Sequence, residues 1–401
     1  MNILFVAVGS LKSQNGYIVR ISEEAKLIDE KKAYLCMFVP RKEYLNYCQG
    51  VKFPVIGLFS GIFESIHIFP TYSSFYFHWI KKWHLKKMIS QNNIGYVHAE
   101  STASGFILAK SKFNVGYTLD LHGFSEYETK LRSTIKNRGW VHKKLAVLRS
   151  QRLDRVSIGM ANEIIAVSNT MKLHLVEKYN IDSSKISVTP CLASDATLID
   201  HIDDWKSHRN LVRKELGISS TTTVFGYIGG LGTYQMVEEM LDFFHTYNRI
   251  NKNSVFVMIV IGDVTELTEL IDVKQMVEIV KIYKEIPHED IGKYLCAMDF
   301  GLLFRKSDPV NYYASPTKFG EYLSGGMTVI ASLYIGDLGD YIAQNSLGFG
   351  IDEDLTLNLD LCKQIENVMM DRQSNAQHNI EWVSNEYTWG IGSIKLPFGD
   401  K

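Results

Sequence analysis

Short, uninterrupted apolar runs recur along this chain and limit the folds that it can adopt. In the first half they cover residues 2–8, 33–39, 95–99, 116–121, 163–167 and 185–189. Continuous rather than alternating apolarity predicts strands with both faces buried, as in a parallel sheet between two layers of helices. Helical patterns fall between most of these runs, at 16–30 and in a long charged stretch at 127–160.

The same order of strands and helices starts again after a polar, acidic and aperiodic segment at 193–207. Strands are predicted at 222–228, 255–261, 278–283, 300–304 and 328–332, with helices at 237–249, 290–297 and 316–323. The sequence therefore predicts an α/β protein with two Rossmann-like, doubly wound parallel-sheet domains. We expect these domains at 1–200 and 201–384, followed by a tail at 385–401 that either packs back on the first domain or frays.

Length, charge and cysteine content narrow the class of protein further. The 401 residues are too many for one ordinary core, and the net charge of −1 gives no field that would attract nucleic acid. Five scattered cysteines without a C-x-x-C pair predict reduced thiols in a cytoplasmic protein rather than disulfides or a zinc site. The apolar start lacks a basic leader and a cleavage site, so we expect a first strand and no signal peptide. No run approaches the roughly 20 apolar residues that cross a bilayer.

The segment 315–326, SPTKFGEYLSGG, is the best candidate for an anion site. Ser315 as N-cap and Pro316 at the first helical position predict a helix start, and the free N–H groups of that turn, around Thr317, favour an anion. Lys318 would add positive charge for a diphosphate, and Glu321 would accept hydrogen bonds from ribose hydroxyls. On the pattern alone, a well-capped surface helix with a solvated lysine and glutamate is an equally good interpretation.

Several residues at predicted strand ends point to the same kind of site. Arg305 follows the strand at 300–304, where ligands of open α/β sheets bind, although an ion pair with Asp308 would also explain it. Gly229 and Gly230 follow the strand at 222–228, and Gly262 follows the strand at 255–261, so the backbone can approach a ligand there. Their spacing fits neither the dinucleotide fingerprint nor the P-loop, and a tight turn alone would also account for them.

Two residues at the corresponding edge of the first domain complete the set of candidates. Gly16 opens a helix after the first strand, in the sequence Asn15-Gly16. His122 follows the strand at 116–121, where an imidazole can orient a sugar or acceptor hydroxyl near neutral pH. A lone histidine is more often a structural hydrogen-bonding group.

A basic run rich in aromatic residues extends from Phe75 to Lys87. Its tryptophans and lysines suit an anionic membrane interface. A half-buried helix with a solvated basic face explains the same pattern.

The order of these motifs resembles that of family 4 retaining glycosyltransferases of the GT-B fold, which build bacterial surface polysaccharides. The matching segments, in chain order, are N15-G16, D120-x-H122-G123, 163-EIIAVSN-169, 185-KISVTP-190, 227-YIGG-230, 261-IGD-263, 286-IPHEDIxxYL-295 and 315-SPxKxxEYLxxG-326. The resemblance covers nearly the whole chain and implies two Rossmann-like domains facing each other across a cleft.

The resemblance also implies roles for individual residues. Glu321 matches the second glutamate of the family, which binds the donor ribose, and the turn from Ser315 to Lys318 would hold the diphosphate. His122 would lie near the transferred sugar. Gly16, Gly229, Gly230 and Gly262 would border the donor.

The chain departs from the family pattern at three positions. Tyr313 stands where many relatives carry the first of two glutamates. The usual arginine and lysine after the second-domain glycine turn are replaced, since Gly230 and Gln235 lie there. Arg305 and Lys318 are therefore the candidates for neutralising the leaving diphosphate.

The sequence thus predicts a retaining, metal-independent hexosyltransferase without a cofactor, which uses a UDP- or GDP-sugar as donor. The acceptor is expected to be a hydroxyl of a glycan or of a lipid-linked acceptor in capsule or O-antigen synthesis. We expect a bacterial, cytoplasmic protein, peripheral on the inner face of the plasma membrane where Phe75–Lys87 makes contact. A nucleotide-sugar epimerase of the same fold and a catalytically silent scaffold remain as alternatives.

Overall fold

A computed structural model describes residues 2–11, 16–28, 32–71, 76–111, 113–135, 139–284, 286–287, 290–351 and 354–390. Asn15, Phe75, the His288-Glu289 pair and residues 391–401 of the predictions above lie outside the described residues, as does the side chain of Trp79. The described chain forms two compact units. One contains the residues up to Pro190 together with Tyr313–Ser315, and the other contains Cys191–Tyr312 and the residues from Pro316 to Gly390.

The first unit is built on a parallel sheet of seven strands in the order β3-β2-β1-β4-β5-β6-β7. Its strands are β1 Asn2–Val8, β2 Ala33–Pro40, β3 Ser65–Thr71, β4 Ile94–Glu100, β5 Tyr117–Leu121, β6 Glu163–Ala166 and β7 Ile186–Val188. Its helices are α1 Gly16–Lys26, α2 Arg41–Cys48, α3 Pro54–Phe59, α4 Tyr76–Gln91, α5 Ser101–Ser111, α6 Ser125–Ile135, α7 Trp140–Met160 and α8 Asn169–Tyr179.

The second unit has a parallel sheet of six strands in the order β10-β9-β8-β11-β12-β13. Its strands are β8 Thr223–Gly229, β9 Ser254–Val260, β10 Val280–Lys284, β11 Phe300–Leu303, β12 Thr328–Ser332 and β13 Gly348–Ile351. Its helices are α9 Ile202–Glu215, α10 Val237–Ile250, α11 Thr265–Val273, α12 Ile291–Cys296, α13 Pro309–Tyr312, α14 Lys318–Ser324, α15 Leu338–Asn345, α16 Leu359–Met370 and α17 Arg372–Glu386.

The apolar runs account for both cores. The interior of β1 and most of β8 are buried on both faces, as continuous apolarity predicts for central parallel strands. Helix α10 buries Met240, Phe244 and Tyr247 at helical spacing against the second sheet. The predicted α/β class with two doubly wound sheets is therefore confirmed.

Three details of the predicted elements are wrong. The stretch 127–160 is not one helix but α6 and α7, which begin at Ser125 and Trp140. The segment 193–207, expected to be aperiodic, contains the start of α9 at Ile202, because Trp205 and Arg209 bury one face of that helix. Strands β3 and β13 were not predicted.

The predicted tail can be compared only over residues 385–390. In the second unit Tyr387 and Trp389 are buried, and the N–H of Ala193 donates to the carbonyl of Tyr387 over 3.0 Å. Among the described residues, no helix combines the length and the apolar character that crossing a bilayer requires.

Candidate functional site

The candidate residues of the second unit gather at the carboxyl ends of β8, β9 and β11. Arg305 follows β11 and is only 6% exposed. Its backbone N–H donates to Ser332 Oγ over 3.1 Å, and its guanidinium lies 5.3 Å from the ring centre of Tyr234. The alternative ion pair with Asp308 is not observed, because that carboxylate accepts instead from the N–H of Val310. No carboxylate of the described chain forms an ion pair with Arg305.

Lys318 is the second cation of this edge and is partly buried. It is the first residue of α14, and its Nζ donates to Gln235 Oε1 over 3.4 Å and lies 5.5 Å from the ring centre of Tyr227. Burial, reinforced by the charge of Arg305 and partly offset by Glu321, lowers the pKa of Lys318 to about 7. In the described part of the protein it has no carboxylate within ion-pair distance. A buried and a partly buried cation side by side without a paired anion are costly, since charges withdrawn from water ordinarily require partners.

Gly229 leaves the space that Lys318 occupies. Its φ is +132°, and a Cβ atom at this position would lie 2.7 Å from Lys318 Cε and 2.8 Å from Nζ. The carbonyl of Gly229 accepts from the N–H of Ile261, which places Gly262, with φ +109°, at the same edge. A Cβ on Gly230 or on Gly262 would meet nothing within 4 Å. The backbone at these two glycines is thus open to a ligand.

The predicted helix start at Ser315 and Pro316 is wrong. Helix α14 begins at Lys318, after Thr317, whose φ and ψ of −55° and −31° are already helical. The carbonyl of Pro316 accepts from the N–H of Phe319, so a tight turn precedes the helix. Ser315 groups with the first unit, and Thr317 occupies the N-cap position of α14. Lys318 and not the proline is therefore the first helical residue.

A glycine under α14 sets the position of that helix on the sheet. A Cβ on Gly301 of β11 would lie 2.3 Å from the ring of Tyr322, so only glycine lets this ring lie against the strand. The Tyr322 hydroxyl donates to the carbonyl of Leu302 and accepts from the N–H of Ile228. The fully buried tyrosine thereby fixes Lys318, one turn earlier, beside β8.

His122 is held by two buried carboxylates in the first unit. Its Nε2 lies 3.1 Å from Glu100 Oε2 and 3.2 Å from Asp120 Oδ2, and its side chain is 18% exposed. Glu100 ends β4 and Asp120 lies opposite it in β5. The ring of Tyr17, which follows Gly16 in α1, meets the His122 ring edge-on at 5.3 Å. Gly16 and His122 thus belong to one neighbourhood, as expected.

Behind His122 lies a network of fully buried charges that the sequence analysis missed. Arg20 lies 2.7 Å from Asp120 and 3.0 Å from Glu24, and it also donates to two backbone carbonyls just after β7. His98 Nε2 lies 2.9 Å from Glu24 and 3.1 Å from Glu100. Burial alone would lower the pKa of His98, but Glu100 and Glu24 raise it to about 10. Burial raises the pKa of Glu24 to about 7, and despite burial the surrounding cations lower those of Glu100 and Asp120.

The ligand atoms of Glu24, His98, Glu100 and Asp120 lie within 4.8 Å of one another, as in some metal sites. The charges already present argue for a different use. Arg20 contacts two of the three carboxylates, and the protonated His98 lies between two of them. Arg20 and His98 thus offset most of the negative charge of the three carboxylates without a metal ion, and the network forms a rigid support for His122.

Tyr313, which replaces the first glutamate of the family pattern, joins an aromatic group of the first unit. Its hydroxyl lies 3.1 Å from His174 Nδ1, and the two rings stack at 4.4 Å. Phe124 and Tyr127 contact the same ring. Burial, followed by the charge of Lys178, lowers the pKa of His174 to about 4, so this imidazole is neutral at physiological pH. The aromatic group therefore packs around Tyr313, and a glutamate at this position would have its carboxylate against aromatic rings.

Comparisons with known proteins agree with this architecture. The chain matches HepE of Anabaena, solved in complex with UDP, at 14% identity and a TM-score of 0.69 over 97% of this chain and 96% of that one. It matches sucrose-phosphate synthase of Thermosynechococcus elongatus at 13% identity and a TM-score of 0.70, again over 97% of this chain and 96% of that one. WaaG, a glycosyltransferase involved in lipopolysaccharide biosynthesis, matches at 10% identity and a TM-score of 0.65 over 96% of this chain and 95% of that one. The two parallel-sheet domains thus have the GT-B fold of glycosyltransferases.

The sequence itself adds a narrower match. Residues 54–193 match the model of Glycosyltransferase Family 4, so the resemblance to that family is confirmed in this part of the chain. No curated protein sequence matches the chain.

Proposed function

We propose that this protein is a retaining glycosyltransferase that moves a sugar from a nucleoside diphosphate sugar to a hydroxyl of a glycan or lipid-linked acceptor. The buried Arg305 and the partly buried Lys318 beside it carry the proposal. Two positive charges without carboxylate partners, next to backbone that is open at Gly230 and Gly262, suit a diphosphate. Binding of that anion removes the free-energy cost of holding the two cations partly or fully out of water without a counter-charge.

The reaction needs positive charge where the leaving diphosphate develops negative charge. In our proposal Arg305 and Lys318 supply it, so no metal ion is required for this step. Glu321, one turn after Lys318, accepts from the ribose hydroxyls. HepE has been solved with UDP-glucose as well as with UDP, which supports a uridine donor over a guanosine donor.

His122 is proposed to orient the sugar that is transferred. Since its Nε2 lies between Glu100 and Asp120, the ring cannot turn without losing two charged hydrogen-bond acceptors. Positioning of this kind accounts for much of the rate of a bimolecular transfer.

The first experiment is a thermal-shift panel with UDP, GDP, ADP and CMP, each alone and with its common sugars. A ligand that binds only the folded protein raises the Tm by mass action. We expect a shift with UDP that is lost in Lys318→Ala, together with a strong loss of turnover in that variant. Lys306→Ala, which removes an exposed neighbouring lysine, is the matched control.

Each alternative has its own outcome in the same preparation. Absence of a shift with every nucleotide would contradict the transferase and favour the silent scaffold. Conversion of a nucleotide sugar to an isomer without an acceptor would indicate an epimerase. Transfer to any acceptor would exclude the scaffold.

The cellular place of the enzyme is proposed as well. We place it in the bacterial cytoplasm, in synthesis of capsule or O-antigen, and peripheral on the plasma membrane through the end of the run from Phe75 to Lys87. Trp83 of α4 is 51% exposed, and Lys86 and Lys87 are exposed beside it. Failure of Trp83→Ala to reduce flotation with acidic vesicles would remove α4 from the contact.

A further inference from the structure

Helix α7 presents an apolar strip to solvent. Trp140, Val141, Leu145 and Leu148 are 72%, 49%, 47% and 50% exposed. With about 3.6 residues per turn, the last three fall within roughly 60° of one another around the helix axis. Single exposed apolar residues are ordinary, whereas a contiguous strip on one helix marks a surface that another body covers. We call these four residues and the basic residues beside them the α7 face.

Basic side chains border the strip, and no exposed acid accompanies them. They are Lys144, Arg149, Arg152 and Arg155, all exposed. No ion pair engages any of them within the described chain, and Lys144 Nζ lies 5.9 Å above the Trp140 ring. The one acidic residue of the helix, Asp154, is fully buried and accepts from the N–H groups that begin α6. The α7 face is therefore apolar and uniformly positive.

We propose that the α7 face binds an anionic lipid surface, with the helix lying in the plane of the interface. Trp140 and the three aliphatic side chains enter the boundary between headgroups and acyl chains, and the basic residues contact the headgroups. The stretch from Val141 to Arg155 is roughly 20 Å long, enough to lie along a membrane and too short to cross one.

Charge and chemistry favour this occupant over two others. A second copy of the chain would bring four basic residues against four more without an acid to pair them. Nucleic acid would satisfy the charges but leave Leu145 and Leu148 in water. A lipid surface takes both the apolar strip and the charges.

The α7 face is distinct from the surface proposed on α4. In α4, Lys81 lies over the ring of Phe38 at 5.2 Å, and the ring of His84 packs on Phe69 at 4.1 Å, so both point inward. Among its described side chains, Trp83 is the large apolar one that reaches solvent. The broader apolar area lies on α7.

The test is flotation of the full-length protein with phosphatidylcholine vesicles, with and without phosphatidylglycerol, at low and at physiological salt. One variant removes the strip (Leu145→Ser with Leu148→Ser), and one removes charge (Arg149→Gln with Arg152→Gln). Leu211→Ser and Lys363→Gln change exposed residues of the second unit and serve as controls. Because all the changed side chains are exposed, we expect unaltered melting curves and an unaltered shift with UDP.

We expect the wild type to float only with anionic vesicles. Loss of two charges should reduce the bound fraction at least roughly tenfold at low salt, and loss of the two leucines should reduce it at both salt concentrations. The controls should float like the wild type. A wild type that stays unbound, or α7 variants that float as it does, would overturn the proposal. So would a dimer in solution that the α7 variants dissociate, since the face would then join two copies. The shift with UDP reports separately on the donor site.

Discussion

Replacing Lys318 by methionine should make the protein more stable while it abolishes nucleotide binding. The folded state lowers the pKa of this lysine from 10.5 to about 7. Each pKa unit corresponds to about 1.4 kcal/mol, so a cost of about 4 kcal/mol at pH 7 is the upper limit for keeping this ammonium group. Methionine keeps most of the volume without the charge, and we expect a gain of about 2–4 kcal/mol in the free energy of unfolding.

The pH dependence gives the sharper test. Between about pH 7 and 10.5 the unfolded chain holds the Lys318 proton and the folded chain has released it. Unfolding therefore takes up a proton, and the stability of the wild type rises with pH across this window. The advantage of Lys318→Met should be greatest at or below pH 7 and should vanish towards pH 10.5.

Urea unfolding at several pH values in this window measures the difference, with Lys306→Met as the control for an exposed lysine. The difference in the free energy of unfolding between the variant and the wild type removes the contribution of the other titrating groups. The UDP-dependent rise in Tm should be lost in the same variant. The reasoning fails if Lys318→Met is less stable than the wild type at pH 7, or if the difference does not change with pH.

Substitutions at three further positions probe the surroundings of Lys318, of His122 and of Tyr313. Gly229→Ala places a methyl group within 2.8 Å of Lys318 at a φ of +132°, so it should cost at least about 1 kcal/mol and weaken UDP binding. A variant whose Tm and UDP-dependent rise in Tm both equal those of the wild type would contradict this. Glu100→Gln should lower turnover more than it raises the KM for the donor, because His122 loses a charged partner, and should cost about 3 kcal/mol of stability; an unchanged turnover would exclude Glu100 as a positioning residue. Tyr313→Phe should cost about 1 kcal/mol in urea unfolding and Tyr313→Glu clearly more, because a carboxylate would be buried among rings; a glutamate variant as stable as the wild type would refute that account.

Much of the fold could be predicted because most strands of both sheets are continuous apolar runs. The two strands that were missed lack this signal. Strand β3 is an edge strand, mostly half-buried, and contains Pro70, which weakens a strand prediction. Strand β13 carries Gly348 and Gly350, and a Cβ at the first would lie 1.9 Å from the carbonyl oxygen of Val329. There, close packing and not propensity decides the conformation.

The cations of the second unit were found from sequence because each follows a strand or opens a helix. The buried charges that support His122 were not predicted. A usable signal was present, because two polar residues, His98 and Glu100, lie at the end of the otherwise apolar β4. Their partners are far away in the sequence. Glu100 meets Asp120 only through the register of β4 and β5, and Arg20 reaches Asp120 from α1. Such pairings follow from topology, which local patterns do not specify.

The contact between Gly301 and Tyr322 determines the order in which these two residues can be replaced during evolution. Alanine at 301 collides with the ring, whereas a smaller residue at 322 first leaves a gap that a methyl group can later fill. Both residues can therefore be replaced in one order only, Tyr322 first and Gly301 second. Each intermediate also frees α14 to shift, and Lys318 would shift with it. A lineage that replaced this pair would change how Lys318 is positioned at the proposed donor site before it replaced any residue proposed to contact the donor.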